Sequence, residues 1–250
     1  MSSDLPIWSR TLNETWELRA QLYSFLGNSL LAPLCEDVSA EVLNPCFWQD
    51  FPLLPANEQM EEALSALADC TKRLTQYSQA EAQTAVNVEF TRLFIGPGKP
   101  SAPPWESLYR ERAVTLFGRP TEEMRELYRR KGLRIERPGK QLEDHLGLEL
   151  LYLAHCIDEV IAEVSVGKSP PTDELARIDY LREESIEQLA FIRKHPLWWI
   201  DRLFENATNA MSIGYYPPLI KLAWGVLLWD EALLTEFLQV LEHAPNSSSC

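Results

Sequence analysis

A chain of 250 residues, 46% hydrophobic and 24% charged, can bury one substantial core, so one unit spanning residues 1–250 is expected. A formal net charge of −14 opposes a duplex nucleic-acid surface, which needs lysine and arginine against phosphate, and favours a partner carrying a basic segment. No apolar run is long enough to span a bilayer, and Met1–Arg10 lacks a basic stretch followed by an apolar one; a cytoplasmic protein is therefore expected.

Helical periodicity dominates the chain from its start. Thr11 and Glu14 have capping-box spacing and predict a helix to about Leu26, with Trp16, Ala20, Tyr23 and Leu26 facing inward and Gly27-Asn28 closing it. Met60, Leu64, Leu67 and Leu74 predict a second helix over 58–77, and a third covers 82–94 before Ile95-Gly96-Pro97-Gly98. Gly96 to Tyr109 then holds four prolines and two glycines, which cannot continue a helix, yet it carries Trp105, Leu108 and Tyr109. Helix resumes after Pro120, with Thr121 as its cap, and Lys131-Gly132 ends it.

A long helix is predicted over 143–164, apolar at Leu146, Leu150, Leu153, Ile157 and Ile161. Ser169-Pro170-Pro171-Thr172 reads as a linker, with a hinge near 167–172. Three more helices follow: one to about Arg193, one from His195-Pro196, and one from Tyr215-Tyr216-Pro217-Pro218 to about His243. No period-two alternation is sustained, so the fold class is all-α, a bundle of roughly eight to ten helices.

Catalytic chemistry finds little support in the spacing of residues. Cys35, Cys46, Cys70, Cys156 and Cys250 are dispersed and read as reduced thiols, mostly packing residues. His145 with Glu149, and His155 with Glu159, have the i, i+4 spacing of a ligand pair, but Glu-x-x-His and H-E-x-x-H are both missing, so no metal site is expected. Ser107 lies outside any nucleophile elbow, and neither Gly96-Pro97-Gly98-Lys99 nor Gly167-Lys168-Ser169 completes a phosphate loop.

The informative features are the aromatic, proline-rich segment and Glu143-Asp144-His145. Pro103, Pro104, Trp105 and Tyr109 offer rigid apolar surface that suits an apolar peptide, and carboxylates beside it can receive arginine through paired hydrogen bonds. The alternative is that the aromatics fill the core while Glu143-Asp144 caps the long helix. Composition and spacing leave both open.

At these residues the sequence resembles a known family. Glu89-Phe90-Thr91-Arg92-Leu93-Phe94-Ile95-Gly96-Pro97, then Pro103-Pro104-Trp105-Glu106-Ser107-Leu108-Tyr109, then Leu116-Phe117-Gly118, then Glu143-Asp144-His145-Leu146-Gly147 follow the ordered pattern of the TorD/DmsD chaperones, with a weaker likeness at Pro196-Leu197-Trp198. Phe90, Gly98 and Tyr109 stand where some relatives carry tryptophan, a departure that bears on the partner more than on the function.

The resemblance implies an all-α chaperone that is not an enzyme and has no cofactor of its own. Its partners would be the twin-arginine leader and apo form of a molybdopterin-dependent reductase, together with the export or cofactor-insertion machinery. The leader would be held back from export until the molybdenum cofactor is inserted. Carried over by position, the leader-binding residues would be Leu93, Phe94, Pro103, Pro104, Trp105, Tyr109, Gly118, Asp144 and His145. On this reading Trp105 and Tyr109 cradle the apolar stretch, Asp144 receives arginine, and His145 adjusts affinity with pH. Both a monomer and a helix-swapped dimer are compatible with it. The rival reading is a helical metal- or nucleotide-dependent hydrolase, which would carry bound metal or nucleotide.

Overall fold

Apolar side chains recurring every three or four residues commit nearly all of the chain to helices that must bury one face. The structure, a computed structural model, describes residues 7–96, 98–110, 118–135, 142–166 and 174–243. Among these, the helices in order are α1 (Ile7–Leu31), α2 (Glu36–Val42), α3 (Pro45–Gln49), α4 (Glu58–Leu74), α5 (Gln79–Phe90) with a π-helical turn (Thr91–Ile95), α6 (Ser107–Arg110), α7 (Arg119–Arg130), α8 (Leu146–Val166), α9 (Glu174–Lys194), α10 (Pro196–Asn209) and α11 (Tyr216–His243). The all-α expectation holds. The only strand-like pairing among the described residues is one isolated antiparallel bridge, Trp105 to His145. The hinge expected near 167–172 lies outside the described residues, apart from its approach along α8.

The predicted inner faces are buried: Trp16, Ala20, Tyr23 and Leu26 on α1, Met60, Leu64, Leu67 and Leu74 on α4, and Leu146, Leu150, Leu153 and Ile157 on α8, where Ile161 is half-buried. Several boundaries differ from the sequence reading by a few residues, as where α4 ends at Leu74 and α8 starts at Leu146, and both ends of α1 differ by more. Thr11 does not start α1, which begins at Ile7, and Gly27 does not end it. Gly27 is where α1 crosses α8. A Cβ there would stand 2.8 Å from the carbonyl oxygen of Gly147, and a Cβ on Gly147 would stand 2.7 Å from that of Gly27. The absent side chains let the two backbones touch, which is a packing role and not a helix stop.

α11 packs against α4, α9, α10, α1 and α5, so its placement organises the bundle. Two buried polar groups hold it. Asp230 accepts from Arg19 Nε at 2.5 Å, Arg19 Nη2 at 3.1 Å and the Tyr23 hydroxyl at 2.7 Å, while Arg19 Nη2 also donates to Gln188 Oε1 at 2.7 Å. This joins α1, α9 and α11 through charges that are wholly buried and mutually neutralised. At the other end, Glu89 on α5 lies against the start of α11. Its Oε1 accepts the backbone N–H groups of Ser212, Ile213 and Gly214 at 2.8 Å each, and its Oε2 accepts those of Tyr215 at 2.8 Å and Tyr216 at 3.0 Å. These donors include the orphan N–H groups of a helix N-terminus, where the backbone dipole also favours an anion.

Burial pushes the Glu89 carboxyl up, but the N–H donors of Gly214, Tyr216, Ser212 and Tyr215 outweigh it, and the group titrates below the ordinary carboxylate range. A folded-state value below the unfolded value of about 4.3 means that its stabilisation is complete above that pH and is lost as pH falls through the folded value. Glu89→Gln turns an amide NH₂ toward backbone donors and should cost about 2–3 kcal/mol at pH 7. Urea unfolding followed from pH 7 to pH 3 should show the gap between variant and wild type narrowing in acid. A gap that stays constant with pH would mean that Glu89 is not held ionised by this nest.

Candidate functional site

The proline-rich segment exposes Gly98, Lys99 and Ser101 but is largely buried from Ala102 to Glu106, where backbone without helical hydrogen bonds must find other partners. The π-helical turn ends at Gly96, whose φ of 64° lies in the left-handed region. A Cβ there would come within 3.3 Å of the Lys99 carbonyl and of Pro100, so the tight return of the chain favours glycine. Beyond it, Ala102 N–H donates to the Leu93 carbonyl at 2.8 Å. The segment then runs antiparallel to the start of α8: Leu146 N–H donates to Pro104 O at 2.9 Å and Glu106 N–H to Asp144 O at 2.9 Å.

Asp144 reinforces this pairing with its side chain. One carboxylate oxygen accepts Ser107 N–H at 2.8 Å and the other accepts the Thr121 hydroxyl at 2.9 Å, which ties α6 and α7 to the start of α8. Thr121 is therefore not the cap of α7; Gly118 holds that position, and Thr121 is buried against Asp144. His145 lies just before α8, so His145 and Glu149 are not an i, i+4 pair within one helix. Its Nδ1 accepts Gly147 N–H at 3.0 Å, and its ring meets Trp105 edge to face at 5.9 Å. Burial pulls its pKa down to about 3. The imidazole is consequently neutral throughout the physiological range, and the pH adjustment assigned to His145 is corrected on that ground.

The predicted site residues thus fall into two groups. Leu93, Phe94, Pro103, Pro104, Gly118, Asp144 and His145 are buried, with Phe94 packed on Phe90 at 5.1 Å and on Tyr216 at 5.4 Å. Trp105 and Tyr109 are half-buried and reach the surface. Tyr109 packs against Trp199 with ring centroids 5.1 Å apart and planes tilted by 32°, its carbonyl accepts Arg202 Nη1 at 2.7 Å, and its hydroxyl accepts Asn206 Nδ2 at 3.3 Å.

A surface aromatic beside it escaped the sequence reading as a site residue. Trp198, 42% exposed, is flanked by the guanidinium carbons of Arg202 at 4.3 Å and Arg110 at 5.0 Å from its ring centroid. Arg110 in turn donates to Glu106 Oε1 and to the carbonyl of Lys194, so the segment around Tyr109 and the start of α10 form one rigid surface. Helix geometry alone could not have singled it out: adjacent residues point about 100° apart, yet the next pair, Trp199 and Ile200, is buried at both positions.

Behind this surface a cleft of about 840 Å³ opens between α7, α8 and α9. Leu127, Leu153 and Phe191 contribute apolar lining, and five glutamates (Glu122, Glu123, Glu126, Glu184, Glu187) stand against four cationic side chains. His195, at the junction of α9 and α10, also lines it. Nearby, burial first, with Glu106 and Asp144 adding to it, pushes the Glu149 carboxyl well above the usual carboxylate range.

The family model described as nitrate reductase delta subunit matches residues 55–205. Curated relatives include proteins named "Chaperone protein TorD" from three Vibrio species. That of Vibrio cholerae is 25% identical over 223 residues, covering 89% of this chain and 94% of the relative. Those of Vibrio parahaemolyticus and Vibrio vulnificus are 26% and 24% identical, each covering 87% of this chain and 95% of the relative. With more than half of its length matched, the chain belongs to the nitrate reductase delta subunit family, in which the TorD chaperones stand.

Proposed function

We propose that the protein is a cytoplasmic, non-enzymatic chaperone that binds the twin-arginine signal peptide of an apo molybdenum-cofactor oxidoreductase and holds it back from export until the cofactor is inserted. The observation that carries this reading is the aromatic surface of exposed Trp198 and half-buried Tyr109, held together by Arg110 and Arg202. Rigid aromatics lose little entropy when an apolar peptide covers them, which is what peptide capture needs. A chain with net charge −14 also attracts a basic leader at long range. The curated TorD relatives are chaperones by name, which supports the same role here.

The buried members of the predicted site act through the surface they hold. Asp144 is wholly buried with both oxygens occupied, so its effect on a peptide runs through the segment around Ser107 and not through an arginine contact. Leu93 and His145 support the same segment, through Ala102 N–H and the Trp105 ring, while Phe94, Pro103, Pro104 and Gly118 are buried and offer a peptide no exposed surface.

Calorimetric titration with several synthetic twin-arginine leaders, each beside its scrambled control, tests the reading. Saturable binding to a leader is expected, weakened about tenfold or more by Trp198→Ala or Trp105→Ala. Failure of every leader to bind would sink it. Asp144 separates support from contact. Asp144→Ala should lose about 1–3 kcal/mol of stability by orphaning Ser107 N–H. Asp144→Asn should lose less, because the Thr121 hydroxyl can turn from donor to acceptor. Urea unfolding reads both, and equal losses in the two variants would remove the hydrogen-bonding account.

A further inference from the structure

Beneath the aromatic surface, three side chains with metal-ligating atoms converge from separate parts of the chain. Glu106 precedes α6, Glu149 lies in the first turn of α8, and His195 stands between α9 and α10. One ligand atom from each lies within 4.8 Å of the others, and all three residues are buried. Glu106 Oε2 is 2.8 Å from His195 Nδ1, while Glu106 Oε1 is engaged by Arg110. Glu149 Oε2 accepts the Trp199 indole N–H at 3.3 Å, but Glu149 Oε1, fully buried, meets no hydrogen-bond donor.

Glu106 already has Arg110 and His195 beside it, whereas the buried Glu149 has only the Trp199 indole N–H, so Glu149 needs either a proton or a cation. An imidazole nitrogen at the same point distinguishes the cations. Magnesium and calcium take oxygen sets, whereas zinc and its neighbours take mixed nitrogen and oxygen. The unsatisfied Glu149 oxygen is already desolvated, on a carboxyl group that brings one oxygen within 4.8 Å of the other two ligand atoms. Access is available as well, because His195 forms part of the lining of the cleft between α7, α8 and α9.

We propose that Glu106, Glu149 and His195 form a binding site for one divalent transition-metal ion of the zinc type. Two carboxylates and one imidazole supply three positions of a tetrahedron and leave the fourth for water. An ion held there cross-links the segment leading into α6, the start of α8 and the junction of α9 with α10. Those are the elements that carry Tyr109 and Trp198, so the ion stiffens the aromatic surface. Sequence spacing gave no sign of this set, because its members are separated by whole helices.

The test uses tag-free full-length protein, stripped with chelator and titrated with zinc and, separately, magnesium by calorimetry. One equivalent of zinc and no saturable magnesium binding are expected. Glu149→Gln, which keeps the shape of a neutral carboxyl group, should weaken zinc at least tenfold. His155→Ala, removing the partly exposed His155–Glu159 pair on α8, should leave it unchanged. In wild-type protein the imidazole signals of His195 in nitrogen-detected spectra should shift with zinc while those of His155 stay put, a readout that does not depend on any variant folding. No saturable zinc binding, undiminished binding in folded Glu149→Gln, or a silent His195 would each overturn the proposal in favour of a proton shared between the two carboxyl groups.

Discussion

A helical protein that buries a proline-rich, non-helical segment must provide hydrogen bonds for backbone that cannot provide its own. Much of the surrounding architecture follows from that constraint. The Leu93 carbonyl within the π-helical turn takes Ala102 N–H, and the turn just before α8 lets Asp144 O and Leu146 N–H pair with the other side. Pro103 and Pro104 lack N–H groups, which removes two donors that this crowded position would otherwise have to satisfy. Asp144 completes the arrangement with its carboxylate and draws α7 in through Thr121. The aromatic surface is therefore mounted on a brace of buried backbone bonds and not on a loose loop.

The same logic governs charge. The chain is strongly acidic overall, yet its deeply buried carboxylates are matched one by one. Glu89 meets five backbone N–H groups, and Asp230 meets Arg19 and Tyr23. The Glu106–Glu149 pair is the place where matching by protein groups is incomplete, since Glu149 Oε1 has no donor. Breaking a buried charge match is costly whatever the net worth of forming it, so these groups fix the relative placement of α1, α5, α8, α9 and α11 more firmly than area burial alone does.

How much of this was legible follows from range. Helices could be read because their signal is local: the apolar stripes of α1, α4 and α8 are buried as their spacing required. Local signals also misled where a distant partner decided the outcome. Gly27 looked like a helix stop until Gly147 met it across the bundle, and Thr121 looked like a cap until Asp144 claimed its hydroxyl. The site showed the same division. The motif residues were visible as residues, but nothing in their spacing told that most are buried while Trp198 is exposed. Glu106, Glu149 and His195 could not be connected at all, because only the packing of α8 against the α9–α10 junction brings them together.

The charge layout around Trp198 constrains how the proposed partner would lie. Arg110 and Arg202 hold their guanidinium groups near the exposed ring, so the basic part of a leader would meet like charge there and lose the benefit of the acidic body. An apolar stretch meets no such penalty, because the guanidinium planes are themselves weakly hydrated and pack against hydrocarbon. The basic part then belongs on carboxylate-bearing surface away from Trp198. The cleft between α7, α8 and α9 is one such surface: it has a small excess of carboxylates, and its lining reaches Lys194 and His195, immediately before α10. A peptide crossing that junction would place its two chemically distinct halves on two chemically distinct surfaces. Its direction along the chaperone would then be set by electrostatics, and its grip by the aromatic rings.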